Sequence, residues 1–193
     1  MEIINNIEKL LGDDLKNTLK KGSKVSIAAS CFSIYAYESL KKELEQIDEL
    51  RFIFNSPTFI KDKIEKEQRE FYIPKLNRER SLYGTEYEIK LKNELTQKAI
   101  AKECSNWIKE KITFKSNKTN AFLQGFMNIE NGNEKITYIP IQGFTTVDLG
   151  FEKGNNLSNM VNKLDEYPFS KNYLDLFEQV WNDDDKMEDI TAE

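Results

Sequence analysis

Residues 23–54 read SKVSIAASCFSIYAYESLKKELEQIDELRFIF. Two short runs, Ser23–Ser30 and Leu50–Phe54, flank a stretch in which Ile34, Tyr37, Leu40, Leu44 and Ile47 recur at helical spacing. Val25 and Ile27 alternate with Lys24 and Ser26, which is the period of a strand. Ser33 stands just before the helical stripe, where a hydroxyl can accept from an unpaired first-turn N–H. Ser56-Pro57 closes the second run. Strand, helix and strand in this order predict a β-α-β unit with parallel strands and a right-handed crossover. Ala29-Ser30-Cys31-Phe32 then falls at the carboxyl end of the first strand, where open α/β sheets tend to bind ligands. Neither GxGxxG nor GxxxxGK[ST] occurs in the chain, so the motif gives no nucleotide pocket.

The flanking sequence extends this α/β pattern. Upstream, Ile4, Ile7, Leu10, Leu11, Leu15 and Leu19 predict a helix over residues 3–20, closed by Lys21-Gly22. Downstream, Phe59–Arg69 reads as a charged helix and residues 71–84 as a long excursion. Tyr87–Lys111 is the most strongly helical segment, with Leu91, Leu95, Ala99, Ile100, Cys104, Trp107 and Ile108 as its inward stripe. Short strands are predicted at Ile112–Phe114, Ala121–Ile129, Lys135–Pro140 and Thr145–Leu149, with Asn131-Gly132-Asn133 as a hairpin turn. A polar loop over 150–156, a helical turn over 157–164 and a helix over Asn172–Trp181 follow. Tyr173, Leu176, Phe177 and Val180 face inward in that last helix, and the acidic stretch from Asn182 to Lys186 reads as a solvated linker.

Composition narrows the chemistry. The chain has 193 residues, 39% of them apolar, and no histidine. A chain of this length suits one domain, or one large and one minor lobe, and buries roughly 70% of its unfolded surface. Without imidazole there is no Ser-His-Asp or Cys-His nucleophile, no His-ligated metal and no phosphohistidine. Asp, Glu, Lys, Tyr and Cys remain as acid/base groups. Cys31 and Cys104 form no CxxC pair and read as buried thiols in a reducing compartment. Asp183, Asp184 and Asp185 adjoin one another, but nothing nearby completes an oxygen cage, so no metal is expected. No apolar run approaches the ~20 residues of a membrane span. Met1–Asn6 lacks the basic and apolar regions of a signal peptide, so a cytoplasmic protein is expected.

The net charge is −5, made up of −1 over residues 1–60, +5 over 61–118 and −9 over 119–193. Two readings fit the basic middle third: a polyanion-binding face, or a solvated helix of mixed charge. The acidic total argues against strong DNA affinity, which depends on phosphate neutralisation.

The order of elements, and the segments AASCFSIYAYESLKKEL (28–44), LRFIFNSPTFIK (50–61), IPIQGFTTVDLG (139–150), FEQVWND (177–183) and above all the block 69–117, resemble the phospholipase D superfamily. More closely, the chain resembles the N-terminal phospholipase D-like region of bacterial DEAD/DEAH-box or Swi/Snf-type helicases, including those on mobile elements. The resemblance implies one phospholipase D-like half-unit over residues 1–182, with a helical insertion at about 58–111. It implies an acidic linker over 183–193 leading to an ATPase motor, for which ATP and Mg would be the cofactors; the domain itself needs none. The active superfamily carries H-x-K-x4-D followed by a pattern like GSSNFT. Here the first strand, Asn120–Met127, has no His, and the second segment reads Ile141-Gln142-Gly143-Phe144-Thr145-Thr146, with Gly143 in place of the Asn. A degenerate cleft formed by Ser30, Asn120, Gln142 and Thr145 is therefore expected, with no catalytic residue. Nucleic-acid (DNA or RNA) contacts are expected from Arg69, Arg78, Arg80, Lys90, Lys98, Lys115 and Lys118, with Tyr72, Tyr83 and Phe114 as stacking partners. The competing expectation is protein interaction, as a homodimer or docked on the motor. A divergent nuclease using Lys, Asp or Tyr is a third reading. No membrane partner is expected.

Overall fold

Alternation along Lys24–Ala29 sends Val25, Ile27 and Ala29 to one side of a strand and Ser26 and Ala28 to the other. That strand is the middle of the molecule, a computed structural model that describes residues 1–55, 94–119, 121–155 and 159–191. The strands are β1 (Glu2–Ile4), β2 (Lys24–Ala29), β3 (Glu49–Phe54), β4 (Ile112–Asn117), β5 (Phe126–Asn131), β6 (Glu134–Ile139), β7 (Val161–Leu164) and β8 (Met187–Asp189). The helices are α1 (Leu11–Thr18), α2 (Ile34–Ser39), α3 (Lys41–Leu44), α4 (Glu94–Lys111) and α5 (Tyr167–Trp181). All eight strands join one mixed sheet in the order β1-β7-β6-β5-β2-β3-β4-β8. The α/β class and the mixed sheet flanked by helices are as the sequence predicts.

The β-α-β start forms as read. Strands β2 and β3 pair in parallel from Lys24↔Glu49 to Ala29↔Phe54, and β4 extends the parallel set on β3. Ser33 caps α2, its hydroxyl accepting from the Tyr35 N–H at 3.1 Å. Helix α4 leads directly into β4 and packs on the same side as α2. Its indole Trp107 Nε1 donates to the Leu44 carbonyl at 3.0 Å, and Lys111 Nζ donates to Ile47 O at 3.0 Å. Residues 94–111, read as part of an insertion, thus form part of the connection between two parallel strands. Residues 56–93, which hold the predicted helix at 59–69 and the excursion at 71–84, lie outside the described residues.

Five expectations change. Residues 2–4 are a strand, not the start of a helix. The Asn5 carboxamide oxygen accepts from the N–H groups of Ile7, Glu8 and Lys9, and Asn6 takes a positive φ of 53°, so the chain turns before α1. Residues 121–125 are not paired as a strand, because the ladder of β5 on β2 begins at Phe126↔Ala28. Thr145–Leu149 is a turn: Thr145 and Asp148 bond each other, and the Leu149 N–H returns to Thr145 O at 2.9 Å. Val161–Leu164 is a strand between β6 and β1, not a helical turn. In the tail read as a linker, Met187–Asp189 pairs antiparallel with β4, burying Met187 and Ile190. Two side chains also turn outward: Ala99 on α4, and Leu176 on α5, which lies about 100° round the helix from the buried Phe177. The hairpin forms as read, with Asn131↔Glu134 closing a two-residue loop and Gly132 at φ 62°.

Helices α1–α4 cover one face of the sheet and α5 crosses the other. The first face holds a ring cluster in which Phe32 meets Phe52, Phe114, Phe144 and Trp107 at centroid distances of 5.6–6.5 Å. Phe114, read as a stacking partner for bases, is therefore engaged inside the protein. Cys104 and Trp107 are core, as expected. Among the described residues no helix is long and apolar enough to cross a membrane.

Candidate functional site

Three parallel strands end together, and each is followed or finished by a small polar residue: Ser30 after β2, Asn55 after β3 and Asn117 at the end of β4. Hydrogen bonds tie these ends into a rim. Asn55 Nδ2 donates to Leu123 O at 3.1 Å, and Asn117 Nδ2 donates to Ala121 O at 2.8 Å and to Asn55 O at 3.3 Å. The N–H and hydroxyl of Thr119 both donate to Asn117 Oδ1, at 2.9 and 2.8 Å.

At the β2 end of the rim the segment after β6 crosses the sheet. Ser30 N–H and Ser30 Oγ converge on the Gln142 carbonyl, at 2.8 and 2.7 Å. The chain then makes one parallel bridge, Phe32↔Phe144, in which Phe144 N–H donates to Cys31 O at 2.9 Å and Ser33 N–H donates to Phe144 O at 2.9 Å. Thr145 follows, buried, its hydroxyl donating to Asp148 Oδ2 at 2.6 Å while accepting from the Asp148 N–H at 3.1 Å. Of the residues expected to form a cleft, Ser30 thus meets the Gln142 backbone, while the buried Thr145 turns its hydroxyl to Asp148. Asn120 lies outside the described residues.

Backbone packs closely at this end of the sheet. A Cβ on Gly125 would lie 1.8 Å from the Ile141 carbonyl oxygen and 3.0 Å from that of Ala28, and the Ile141 N–H donates to Gly125 O at 2.9 Å. A Cβ on Gly143 would lie 2.7 Å from Cys31 Sγ and 2.8 Å from Asp148 Oδ2. Ser30 and Gln142 are exposed, and Cys31 is half-buried rather than buried as expected.

The expected basic belt is not assembled among the described residues. Lys98 is exposed on α4, on the side of the sheet away from α5. Lys115 lies on the α5 side, where its ammonium donates to Trp181 O at 2.8 Å and stands 5.2 Å from the Trp181 ring centre. Lys118, exposed at the rim, donates to Asp184 O at 2.6 Å. Arg69, Arg78, Arg80, Lys90, Tyr72 and Tyr83 lie outside the described residues. Sequence reasoning missed Asn55, Asn117, Thr119 and Asp148. The first two had a signal, a polar residue closing an apolar strand run, and Thr145-Thr146-Val147-Asp148 had the composition of a side-chain-bonded turn.

Elsewhere, a concavity of about 540 Å³ opens at the opposite ends of β2 and β3, lined by Lys24, Glu49, Arg51, Glu130 and Glu178 among others. Its charges oppose one another: Lys24 pairs with Glu49 at 3.2 Å, Arg51 with Glu178, and Glu130 with Lys135. The Arg51 guanidinium holds the Glu178 carboxyl below its usual range despite partial burial. Burial pushes the Cys104 thiol up to about 12, which keeps it protonated and inert at neutral pH. Among the described residues, no three or more His, Cys, Asp or Glu side chains are grouped to hold a metal ion. The chain matches no known family model and no curated protein sequence.

Proposed function

We propose that this chain is a binding module without hydrolytic chemistry, a degenerate phospholipase D-like half-unit that engages a nucleic-acid backbone along the carboxyl rim of its parallel strands. In this reading it is the accessory domain of a bacterial helicase, and the motor supplies ATP and Mg chemistry. The observation that carries the reading is the rim itself. Ser30 and Gln142 are exposed at this end of the parallel strands with Lys118 on the same rim, and Asn55, Asn117 and Thr119, bonded to one another and to backbone carbonyls, fix its shape. Such groups suit phosphate and sugar contacts, which position a polymer without reading its sequence.

The close packing around Gly143 supports the non-hydrolytic part. Gly143 stands where the active superfamily has an Asn, and a side chain there would collide with Cys31 and Asp148. Thr145 keeps the superfamily pattern, but its hydroxyl is committed to Asp148. No imidazole exists anywhere in the chain to attack phosphorus.

Filter binding of the purified chain to single-stranded and duplex DNA and RNA, titrated with salt, tests the reading. Affinity should fall steeply as salt rises, with a slope near one per phosphate neutralised. Affinity independent of salt, or no retention at low salt, overturns it.

A second reading, protein docking, is favoured by exposed apolar side chains. Phe122, beside the rim, is 91% exposed, and Ile3, Met160, Tyr167 and Phe169 are also exposed. Light scattering tests the homodimeric form of this reading, and a strictly monomeric mass at micromolar concentration removes it.

A further inference from the structure

Lys115 and Lys118 are the two described lysines at the carboxyl half of β4, and both are held by one short segment of the chain. Lys115 Nζ donates to the Trp181 carbonyl at 2.8 Å and lies 3.5 Å from Asp184 Oδ1. Lys118 Nζ donates to the Asp184 carbonyl at 2.6 Å, and the Lys118 N–H donates to Lys186 O at 2.9 Å. The same segment continues as β8, whose pairs Lys115↔Asp189, Ser116↔Glu188 and Asn117↔Met187 cover the outer edge of β4. Residues 183–189 contain five acidic side chains, Asp183, Asp184, Asp185, Glu188 and Asp189.

The grip is local. β8 has three residues and lies at the end of the sheet. Met187 and Ile190 are buried and anchor it, and the Ile190 N–H donates to Phe114 O at 3.0 Å. Its preceding turn closes on itself: Lys186 N–H and Met187 N–H donate to Asp183 O at 3.0 and 2.8 Å, and Lys186 Nζ pairs with Asp183 at 2.7 Å. Asp184 Oδ1 approaches Lys115, but the Asp184 side chain is 91% exposed, so solvent screens much of that attraction. Its three ladder pairs, two buried anchors, self-contained turn and the Thr191 hydroxyl that accepts from the Phe114 N–H at 2.9 Å all lie at one edge of the sheet, so the segment can open without the rest of it.

We propose that residues 182–190 are a displaceable acidic strap that competes with a polyanion for Lys115 and Lys118. The proposal rests on the nucleic-acid reading above and adds its regulation. With the strap seated, the Asp184 carbonyl takes the Lys118 ammonium that a phosphate oxygen would take, the Asp184 carboxylate lies 3.5 Å from Lys115, and the five carboxylates repel an approaching polyanion. With the strap lifted, Lys118 and the outer edge of β4 are open beside the polar rim, and Lys115, still held by the Trp181 carbonyl at the end of α5, loses its carboxylate neighbour to an incoming phosphate. Binding and strap opening are then linked in both directions.

Two measurements on the full chain test this. The first is binding of a 12-mer oligothymidylate at low salt to the wild type and to Asp183→Asn/Asp184→Asn/Asp185→Asn. These substitutions remove three charges, keep the shape of each side chain, and leave a carboxamide oxygen for the turn. The triple variant should bind about tenfold tighter. Adding Lys115→Gln and Lys118→Gln should abolish that gain. The second is amide hydrogen exchange of the wild type, in which Met187–Ile190 should exchange faster when the oligonucleotide is bound. If wild type and triple variant bind equally and exchange over 187–190 is unchanged, the strap is overturned while the nucleic-acid reading stands. If neither protein binds at any salt, both are overturned.

Discussion

The two faces of the sheet solve different problems. On one, α1–α4 seal Val25, Ile27, Leu50, Phe52, Ile129 and their neighbours into a core of interlocking rings. On the other, among the described residues, α5 covers a surface that changes character along the strands. Ala28, Ile53, Phe126 and Phe177 form a small apolar cluster at one level. One level along, Ser26 stands opposite Arg51 and Asn128, and Asn128 stands opposite Thr137. That polar row is satisfied internally: Thr137 Oγ1 donates to Asn128 Oδ1 at 2.7 Å, and Asn128 Nδ2 donates to Tyr173 O in α5 at 3.0 Å. The Arg51 guanidinium lies 5.1 Å from the Phe177 ring centre and pairs with Glu178. The first face is held by burial, which is large and non-directional. The second is placed by hydrogen bonds, which give modest net stability but are costly to break on one side.

The sharpest test of that contrast is Phe52→Ala. Its ring is fully buried and contacts Phe32, Phe54 and Phe114, so truncation should cost about 3–5 kcal/mol in urea unfolding. Asn128→Ala should cost about 1–3 kcal/mol by leaving the Thr137 hydroxyl without its acceptor, measured in the same way. Equal losses for the two variants would break the distinction between the faces.

Asp14 refines it, because it places a charge at the margin of the dry face. Burial pushes its carboxyl up, but the Lys163 ammonium at 2.9 Å, the Tyr138 hydroxyl at 2.7 Å and Lys9 at 3.2 Å outweigh that and hold it below the ordinary range. A carboxyl depressed in the folded state stabilises the protein above its unfolded value of about 3.9, and that contribution is lost as pH falls through the folded value. The wild type should therefore lose urea resistance below about pH 4. Asp14→Asn should be less stable at neutral pH, with its deficit shrinking as pH drops below that point. A deficit that stays constant from pH 6 to pH 2 would show that the charge plays no part. Smallest of all, Lys171→Ala on the outer side of α5 breaks only the exposed pair with Asp175 and should leave the urea midpoint within error of the wild type.

Much of the fold was legible in the primary structure because its signals are local. Period-two alternation marked β2, helical spacing marked α2 and α4, and Asn131-Gly132-Asn133 marked the hairpin. Residues 2–4 and 161–164 were misread for a common reason. They are short strands that pair with each other, and their partner lies some 160 positions away in the chain. Periodicity over three or four residues cannot separate a strand from a helical turn. Of the expected site residues, Ser30 bonds the Gln142 backbone, and only the folded chain sets the Thr145 hydroxyl on Asp148 and the Gly125 backbone against Ile141.

Taken alone, the order of residues determined the α/β class, the parallel start and the exclusion of imidazole chemistry, since each depends on residue identity or near-neighbour spacing. Tertiary structure decided where the charges went. Lys98 and Lys115 belong to one basic stretch of the chain, yet the sheet separates them, and Lys115 and Lys118 meet Trp181 and Asp184, more than 60 residues away. Charge along a chain is a one-dimensional property, whereas an electrostatic face exists only after strands have paired across long loops.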